Sequence, residues 1–127
     1  KRDWGHAKDY VEGMWLILQQ REPDNFVIAT GKQYSVKDFI NTAAKLININ
    51  IRWTGKGMNE KAIDKSGKVI VEVDKKYFRP SEVETLLGDY SKAKRKLKWK
   101  PKISFKNLVK EMLDQDMRAC KKLLNDK

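Results

Sequence analysis

Helical and extended patterns of apolar residues alternate along this chain, and this alternation constrains its fold more than any other feature. Residues 9–20 repeat apolar side chains at helical spacing, and Asp9 is the expected N-cap. The apolar face of this predicted helix consists of Val11, Met14, Trp15 and Leu18. Residues 26–29 and 69–73 are short apolar runs bounded by turn residues, which is typical of strands. The sequence therefore predicts a folded chain with both helices and strands.

The clearest helix start is a capping box, in which Ser35 is followed three residues later by Asp38. The predicted buried stripe of this second helix consists of Val36, Phe39, Ile40, Ala43 and Ile47. Residues 49–53 come next and alternate as a strand does, while residues 64–67 predict a turn.

Two further helices are predicted near the end of the chain. Asp89 is the expected N-cap of a short helix, and Ser104 is the expected N-cap of the last one. The buried side of the short helix consists of Tyr90, Ala93 and Leu97. The stripe of the last helix consists of Phe105, Leu108, Val109, Met112 and Leu113. The apolar pattern weakens after Asp114, which predicts a frayed, solvated tail over residues 114–127.

Two motifs imitate cofactor or catalytic signatures. Gly55-Lys56-Gly57 lacks the spacing of a dinucleotide-binding loop or a P-loop, and no helix start follows it, which favours a glycine turn. Tyr90 and Lys94 match the Tyr-x-x-x-Lys dyad of short-chain dehydrogenases, in which the lysine helps the tyrosine act as acid or base. Tyr90, however, lies on a predicted buried stripe, with no catalytic Ser or Thr and no Gly-rich loop before it. A structural role is therefore predicted.

The chain of 127 residues carries 28 basic and 17 acidic residues, a formal net charge of +11 at pH 7. Such an excess favours binding of polyanions or phosphorylated ligands. Its densest part surrounds Trp99 and consists of Lys92, Lys94, Arg95, Lys96, Lys98, Lys100 and Lys102. A basic, non-enzymatic nucleic-acid-binding or interaction module is therefore one alternative, although the sequence carries no signature of such a module. Cations on the short helix also fit a solvated face.

Cysteine, histidine and hydropathy patterns exclude other classes of protein. Cys120 is the single cysteine and His6 the single histidine, so an internal disulfide and a structural zinc site are excluded. One cysteine also fits a reducing compartment, and the cytoplasm is the expected location. The longest apolar run, residues 14–18, is far shorter than the ~20 residues of a membrane-spanning helix. No signal peptide is expected.

The candidate binding residues are Arg79 and Glu82, which flank Pro80, together with Arg2. Pro80 favours an extended backbone at Arg79, and an arginine held in this way can present its planar donors to an anion. Glu82 can accept hydrogen bonds from a pair of neighbouring hydroxyl groups. Arg2 supplies a second arginine in an extended, aromatic setting. A surface ion pair between Arg79 and Glu82 remains an alternative at this point.

Three groups of residues, taken together, resemble one known family. They are Arg-Asp-Trp-Gly-His-Ala-Lys-Asp-Tyr-Val at 2–11, Phe-Arg-Pro-Ser-Glu-Val at 78–83 and Gly-Asp-Tyr-Ser-Lys-Ala at 88–93. The family is that of the GDP-mannose 4,6-dehydratases, within the extended short-chain dehydrogenases. Residues 97–101 are also similar to its Leu-Gly-Trp-x-Pro motif, with Lys98 where glycine is usual. The resemblance runs to about Asp116.

The resemblance implies an α/β fold, in which this chain is the C-terminal part of a Rossmann-type extended short-chain dehydrogenase. Residues 1–31 would pack on the NADP-binding sheet of a missing N-terminal portion. Residues 32–127 would form a small mixed α/β substrate-binding lobe with a long terminal helix.

The resemblance also implies a role for each candidate residue. Arg2 and Arg79 would hold the diphosphate of GDP-mannose, and Glu82 would meet the ribose hydroxyls. The catalytic residues and the NADP-binding loop would precede Lys1, so no catalytic or cofactor-binding residue is expected in this chain. The complete protein would convert GDP-mannose to GDP-4-keto-6-deoxymannose. It would act as a homo-oligomer, with no nucleic-acid or membrane partner.

Overall fold

The computed structural model describes residues 1–79 and 83–125 of the chain. In that part, four helices and two antiparallel sheets form a mixed α/β structure with a long last helix, as predicted. The helices are α1 (Ala7–Leu18), α2 (Val36–Leu46), α3 (Ser91–Leu97) and α4 (Phe105–Asn125). The smaller sheet pairs β1 (Arg2–Asp3) with β2 (Gln33–Tyr34). The larger has the order β3 (Arg52–Thr54), β4 (Lys61–Ile63), β5 (Val69–Glu72), with short 3-10 turns at Gly57–Asn59 and Lys75–Tyr77.

The start of α1 differs from the prediction. Its N-cap is His6, whose Nδ1 accepts a hydrogen bond from the backbone N–H of Lys8 at 3.1 Å. Asp9 lies inside the helix and is 3 % exposed. Its Oδ2 accepts from the backbone N–H groups of Lys102 and Ile103, both at 2.9 Å. The prediction of Asp9 as N-cap was wrong because this carboxylate instead ties α1 to the segment that leads into α4.

The main buried cluster consists of Ala93, Leu97 and Trp99, which α1 and residues 26–28 cover. The Trp99 Nε1 donates to the backbone oxygen of Asp9 at 2.8 Å. Gly13 allows this close approach, since a Cβ atom there would lie 3.1 Å from Trp99 Nε1. The residues that pack against the cluster are Tyr10, Leu16, Ile17, Phe26, Ile28 and Tyr90. The buried side of α3 therefore agrees with the prediction.

The apolar face predicted for α1 points away from this cluster. Val11, Met14, Trp15 and Leu18 are 58–79 % exposed within the described chain. Residues 26–29, predicted as a strand, pair with no other segment among the described residues and form no strand. That prediction was wrong for the described structure, because a strand requires a neighbour that completes its hydrogen bonds.

The capping box of α2 is present as predicted. Ser35 Oγ accepts from the backbone N–H of Asp38 at 3.0 Å, and Asp38 Oδ2 accepts from the N–H of Ser35 at 2.8 Å. The hydrogen bonds that Asp38 Oδ2 accepts from the backbone N–H and from the hydroxyl of Ser35 hold the pKa of Asp38 below its usual value. Val36 is 66 % exposed and lies outside the buried face, contrary to the prediction.

The apolar groove between α2 and the larger sheet, about 180 Å³, is lined by Phe39, Ile40, Ala43, Ala44, Ile47, Ile49, Ile51 and Ile70.

The larger sheet was only partly predicted. Strand β5 matches the predicted run closely, and both glycine turns are present, with Gly55 and Gly67 at φ values of +75° and +85°. Strand β3 begins at Arg52, three residues later than predicted, because the N–H of Ile49 still bonds to Ala44 at the end of α2. Strand β4 has three residues, too few to give an alternating pattern.

Helix α4 is longer than predicted. It continues to Asn125, so the expectation of a frayed segment after Asp114 was wrong, although residues 114–125 are solvent-exposed as expected. Its 21 residues span about 31 Å, against about 16 Å for the 11 residues of α2. Good helix-forming residues without Gly or Pro sustain it. No helix in the described part of the chain is both long and apolar enough to cross a membrane.

Asp24 attaches α3 to the turn after α1, and this contact gives a pH-dependent prediction. Its carboxylate accepts from the ammonium groups of Lys92 at 2.5 Å and Lys96 at 2.8 Å, which hold the pKa of Asp24 well below its usual range. A lowered folded-state pKa stabilises the fold above the unfolded value of about 3.9, and this stabilisation is lost as pH falls through the folded-state value.

Asp24→Asn is therefore expected to lower the urea midpoint of unfolding at pH 7. The difference from the parent should shrink as the pH falls below about 4 and as salt rises. Asp116→Asn, on the exposed face of α4, is the matched control and should change the midpoint little at any pH. An Asp24→Asn effect that grows towards low pH would contradict this account.

Candidate functional site

Arg2 lies where the start of the chain meets the segment after residue 82. Strand β1 pairs Arg2 with Tyr34 and Asp3 with Gln33. The Arg2 Nη1 donates to the backbone oxygen of Val83 at 2.6 Å, across 81 residues of sequence, and to that of Lys1 at 2.9 Å. Strand β1 therefore contacts β2, and the Arg2 side chain contacts the segment that starts at residue 83.

Arg79 is exposed and follows the 3-10 turn Lys75–Tyr77. Val83 is four residues further along, and four residues of fully extended chain span at most about 14 Å. The backbone of Arg79 is thus within about 14 Å of the residue that Arg2 binds. Glu82, with Pro80 and Ser81, lies outside the described residues, and its role stays a prediction.

The segment 83–88 is also held at its far end. Gly88 lies so close to Ala29 that a Cβ atom on Gly88 would be 2.3 Å from the Ala29 Cβ. Along the segment, Val83, Leu86 and Leu87 are 52–64 % exposed. The segment thus runs from the Arg2 guanidinium to residue 29, with its apolar side chains outward.

Asp3 makes the densest set of polar contacts near Arg2. Its Oδ1 accepts from the backbone N–H of Thr30 at 2.8 Å and from Thr30 Oγ1 at 2.5 Å. Its Oδ2 accepts from the N–H of Gly31 at 2.9 Å. The sequence reasoning missed this residue because partners 27 and 28 residues away leave no local pattern.

Trp4 anchors the other side of β1. Its Nε1 donates to the backbone oxygen of Tyr34 at 2.9 Å, and its ring stacks on Phe39 with centroids 5.2 Å apart. Phe105 completes the aromatic cluster by stacking on Tyr34 at 3.8 Å. A cavity of about 280 Å³ opens beside this cluster, and Lys32 and Tyr90 also line it.

Comparison with known proteins identifies the family. The family model for GDP-mannose 4,6 dehydratase matches residues 1–112, which include Arg2, Asp3 and Arg79. The chain belongs to the GDP-mannose 4,6-dehydratase family. This confirms the resemblance seen in the motifs, and nothing in the comparisons supports the alternative of a nucleic-acid-binding module.

Several curated relatives carry the same name. The chain is 52 % identical over 122 residues to the GDP-mannose 4,6 dehydratase of Dictyostelium discoideum, 55 % over 122 residues to the human protein and 52 % over 130 residues to the Vibrio cholerae protein. These matches cover 94–95 % of this chain and 33–35 % of each relative. The chain thus spans about a third of the length of the curated relatives it matches.

In this member of the GDP-mannose 4,6-dehydratase family, Tyr90 is the N-cap of α3 and Lys94 lies within that helix. The Tyr90 ring packs edge-on against Trp99 with centroids 5.8 Å apart, and the Tyr90 backbone oxygen accepts from the N–H of Lys94. Lys94 is exposed. These contacts give the tyrosine a packing role.

Tyr90→Phe in the full-length protein is expected to leave the turnover rate within about three-fold of the parent, because the ring contact with Trp99 is kept. Lys94→Ala should have an equally small effect, since its side chain is exposed. Steady-state kinetics on both variants check this. A loss of ~1,000-fold with folding intact, the scale of a lost essential group, would make the dyad catalytic.

The basic run is partly neutralised by carboxylates from α1 and the turn that follows it. Lys92 and Lys96 bind Asp24, and Lys102 contacts both oxygens of Glu12 at 2.6 and 2.7 Å. These three cations attach α3 and the segment after it to the rest of the chain. Contacts within the chain therefore account for three of the cations in the basic run.

His6 has both ring nitrogens engaged. Besides the N-cap contact through Nδ1, its Nε2 lies 3.2 Å from Glu111 Oε2 on α4. Because Nδ1 accepts from an N–H group, Nε2 carries the proton and donates to Glu111. His6 is 8 % exposed, and these contacts make it a structural link between α1 and α4.

Proposed function

We propose that this chain is the C-terminal, substrate-binding portion of a GDP-mannose 4,6-dehydratase, a lyase that converts GDP-mannose to GDP-4-keto-6-deoxymannose. The observation that carries the proposal is the contact of Arg2 with Val83. It brings the first family motif of the chain against the end of the second, in a chain that the family model matches over residues 1–112. The names of the relatives supply the substrate.

In this proposal, Arg2 and Arg79 hold the diphosphate, and Glu82 accepts hydrogen bonds from the ribose hydroxyls. A guanidinium group presents a planar set of donors that matches phosphate oxygens two at a time, and the bonds are charge-assisted. A carboxylate is an acceptor only, which suits a pair of hydroxyl donors. The chain's own contribution is to bind and orient the substrate.

NADP, which we propose as the cofactor of the complete protein, does not fit the residues described here. Its phosphates require a glycine-rich turn between a strand and a helix N-terminus. The close pair Gly55 and Gly57 lies instead between β3 and β4, with only a 3-10 turn after it. We therefore assign NADP and its hydride chemistry to the remaining two thirds of the protein.

Residues 1–31 would pack on the NADP-binding sheet of that remaining part, and residues 32–127 would form the substrate lobe. Two observations support this division. The exposed face of α1 carries four large apolar side chains, among them Trp15 at 60 % exposure. Residues 26–29 have strand-like composition and no pairing partner among the described residues. An additional sheet would cover the exposed face of α1 and would give residues 26–29 a strand to pair with.

The proposal extends to a cytoplasmic location and a homo-oligomeric state for the complete protein. The exposed free thiol of Cys120 supports a reducing compartment. Exposed apolar side chains along α4, including Met117 and Leu124, offer surface for subunit contacts.

The test is an activity comparison with GDP-mannose as substrate. The full-length protein that contains this chain should form the 4-keto sugar when NADP is bound. The purified 127-residue chain should form none, because the acid–base groups and cofactor site are assigned elsewhere. Product formation by the isolated chain would contradict the assignment, as would an inactive full-length protein that is folded and loaded with NADP.

A further inference from the structure

We propose that Asp3 is a positioning residue for substrate binding, because its bonds to Thr30 and Gly31 fix β1 so that Arg2 reaches the substrate diphosphate. This rests on the proposed function of Arg2. Asp3 itself is not assigned any contact with substrate. Its contribution is to the orientation of the residue beside it.

Strand β1 needs such an anchor because it is very short. Two residues, Arg2 and Asp3, form its whole ladder with β2. Arginine has a long, flexible side chain, so its backbone must be held for the guanidinium to be aimed. A ladder of two residues provides few hydrogen bonds for that purpose.

The contacts of Asp3 supply the missing rigidity. Side chains alternate along a strand, so Asp3 projects opposite to Arg2. Both Asp3 oxygens accept from Thr30 or Gly31, at 2.5–2.9 Å, and a carboxylate acceptor makes these bonds charge-assisted. Trp4, the next residue along the chain, donates through Nε1 to the backbone oxygen of Tyr34. The backbone on both sides of Asp3, at Arg2 and at Trp4, is thereby fixed.

The segment that receives Asp3 is itself constrained. Gly31 has φ +71°, where other residues are strained, and a Cβ atom there would lie 3.1 Å from the Tyr90 ring. Thr30 Oγ1 also contacts the backbone of Lys32 at 3.3 Å. Asp3 therefore fixes β1 to a defined point in the fold.

Asp3→Asn in the full-length protein tests the idea with minimal change in size. Whichever way the amide is turned, its NH₂ group faces the backbone N–H of Thr30 or of Gly31. The expected result is a rise in KM for GDP-mannose of about 10-fold, the scale of one lost charge-assisted hydrogen bond, with kcat within about three-fold. A loss of binding alone changes KM and leaves kcat.

Asp9→Asn is the matched control. Asp9 is a buried carboxylate that also accepts from two backbone N–H groups, but it lies on α1 and holds the segment before α4. The same chemical change there should leave KM within about two-fold. An equal rise in KM for both variants would show a general structural effect and overturn the positioning role.

A double-substitution cycle decides whether Asp3 acts through Arg2. If it does, adding Asp3→Asn to Arg2→Ala should raise KM by less than about two-fold further. If the two substitutions act independently, so that their fold-changes in KM multiply in the double variant, the inference is overturned. If Arg2→Ala leaves KM unchanged, both the proposed function of Arg2 and the positioning role of Asp3 are overturned. If Arg2→Ala raises KM and Asp3→Asn does not, only the positioning role of Asp3 is overturned.

Thr30→Val provides a second route if Asp3→Asn does not fold. It removes the hydroxyl donor to Asp3 and keeps both backbone donors, so the expected rise in KM is about three-fold. Thr30→Ser, which restores the hydroxyl, should return KM to the parent value. A Thr30→Val variant with parental KM, or one that serine does not rescue, overturns the positioning role.

Discussion

Replacing either Arg2 or Arg79 with alanine in the full-length protein is expected to weaken GDP-mannose binding by about 10- to 150-fold. In the proposed site each arginine would donate charge-assisted hydrogen bonds to the diphosphate, and such bonds contribute about 1.5–3 kcal/mol each. Every 1.4 kcal/mol is a factor of ten in affinity. Titration calorimetry of the full-length protein without NADP measures the loss of GDP-mannose affinity with no turnover during the titration.

The arginine prediction has graded variants. Lysine at either position should recover only part of the affinity, since a point charge cannot reproduce the planar fork. Glu82→Gln should cost less than either alanine variant, because an amide oxygen still accepts from a ribose hydroxyl.

Arg95→Ala on α3 is the matched control for the arginine variants, because it removes an exposed arginine from the basic run. It should leave GDP-mannose affinity within about two-fold. Equal losses for Arg95→Ala and Arg79→Ala would mean that general positive charge, rather than a built site, attracts the nucleotide sugar.

Trp99→Ala is expected to lower the free energy of unfolding by about 3–5 kcal/mol, the usual cost of deleting a large buried aromatic side chain. Trp99 is 2 % exposed, donates a hydrogen bond to Asp9 and packs against Tyr10 and Tyr90. Its removal opens a cavity where α1, α3 and residues 26–28 meet. Urea unfolding followed by circular dichroism measures the change.

Trp15→Ala makes the same chemical change on the exposed face of α1. In the isolated 127-residue chain it should cost less than about 1 kcal/mol, as exposed substitutions usually do. In the full-length protein it should cost clearly more, because that face is proposed to pack against the NADP-binding part. Equal small costs in both proteins would contradict the proposed division at residue 31.

The capping box shows what a local pattern can determine. Ser35 and Asp38 satisfy each other's backbone groups within one turn, so four residues of sequence were enough to predict the start of α2. Asp9 shows the limit of the same reasoning. It has a good N-cap residue type, but its partners, Lys102 and Ile103, are 93 and 94 residues away. No local pattern records them, and the helix begins two residues earlier.

Periodicity also predicted an apolar face of α1, but it could not predict what packs against that face. Residues at i, i+3, i+4 and i+7 do share one side of the helix, yet the described fold packs on the opposite side, through Tyr10 and Gly13. The pattern reports that a face is apolar and does not report what covers it. For α4 the reverse occurs, because helix-forming residue types extend the helix to Asn125 where the apolar pattern fades.

The candidate site was predicted to a different extent for each residue. Residue types alone left Arg79 and Glu82 open to an ordinary surface ion pair, and the family motifs supplied the expectation of a diphosphate site. The structure adds the contact of Arg2 with Val83, which no short-range pattern contains. Asp3 was missed because a carboxylate on a short strand looks unremarkable until its partners are known.

The most direct test of the shared site is a crystal structure of the full-length protein with GDP-mannose. We expect the guanidinium groups of both Arg2 and Arg79 to lie at hydrogen-bond distance, about 3 Å, from oxygens of the same diphosphate. Guanidinium groups more than ~15 Å apart, or on opposite faces of the protein, would contradict the shared site, because one diphosphate cannot reach both.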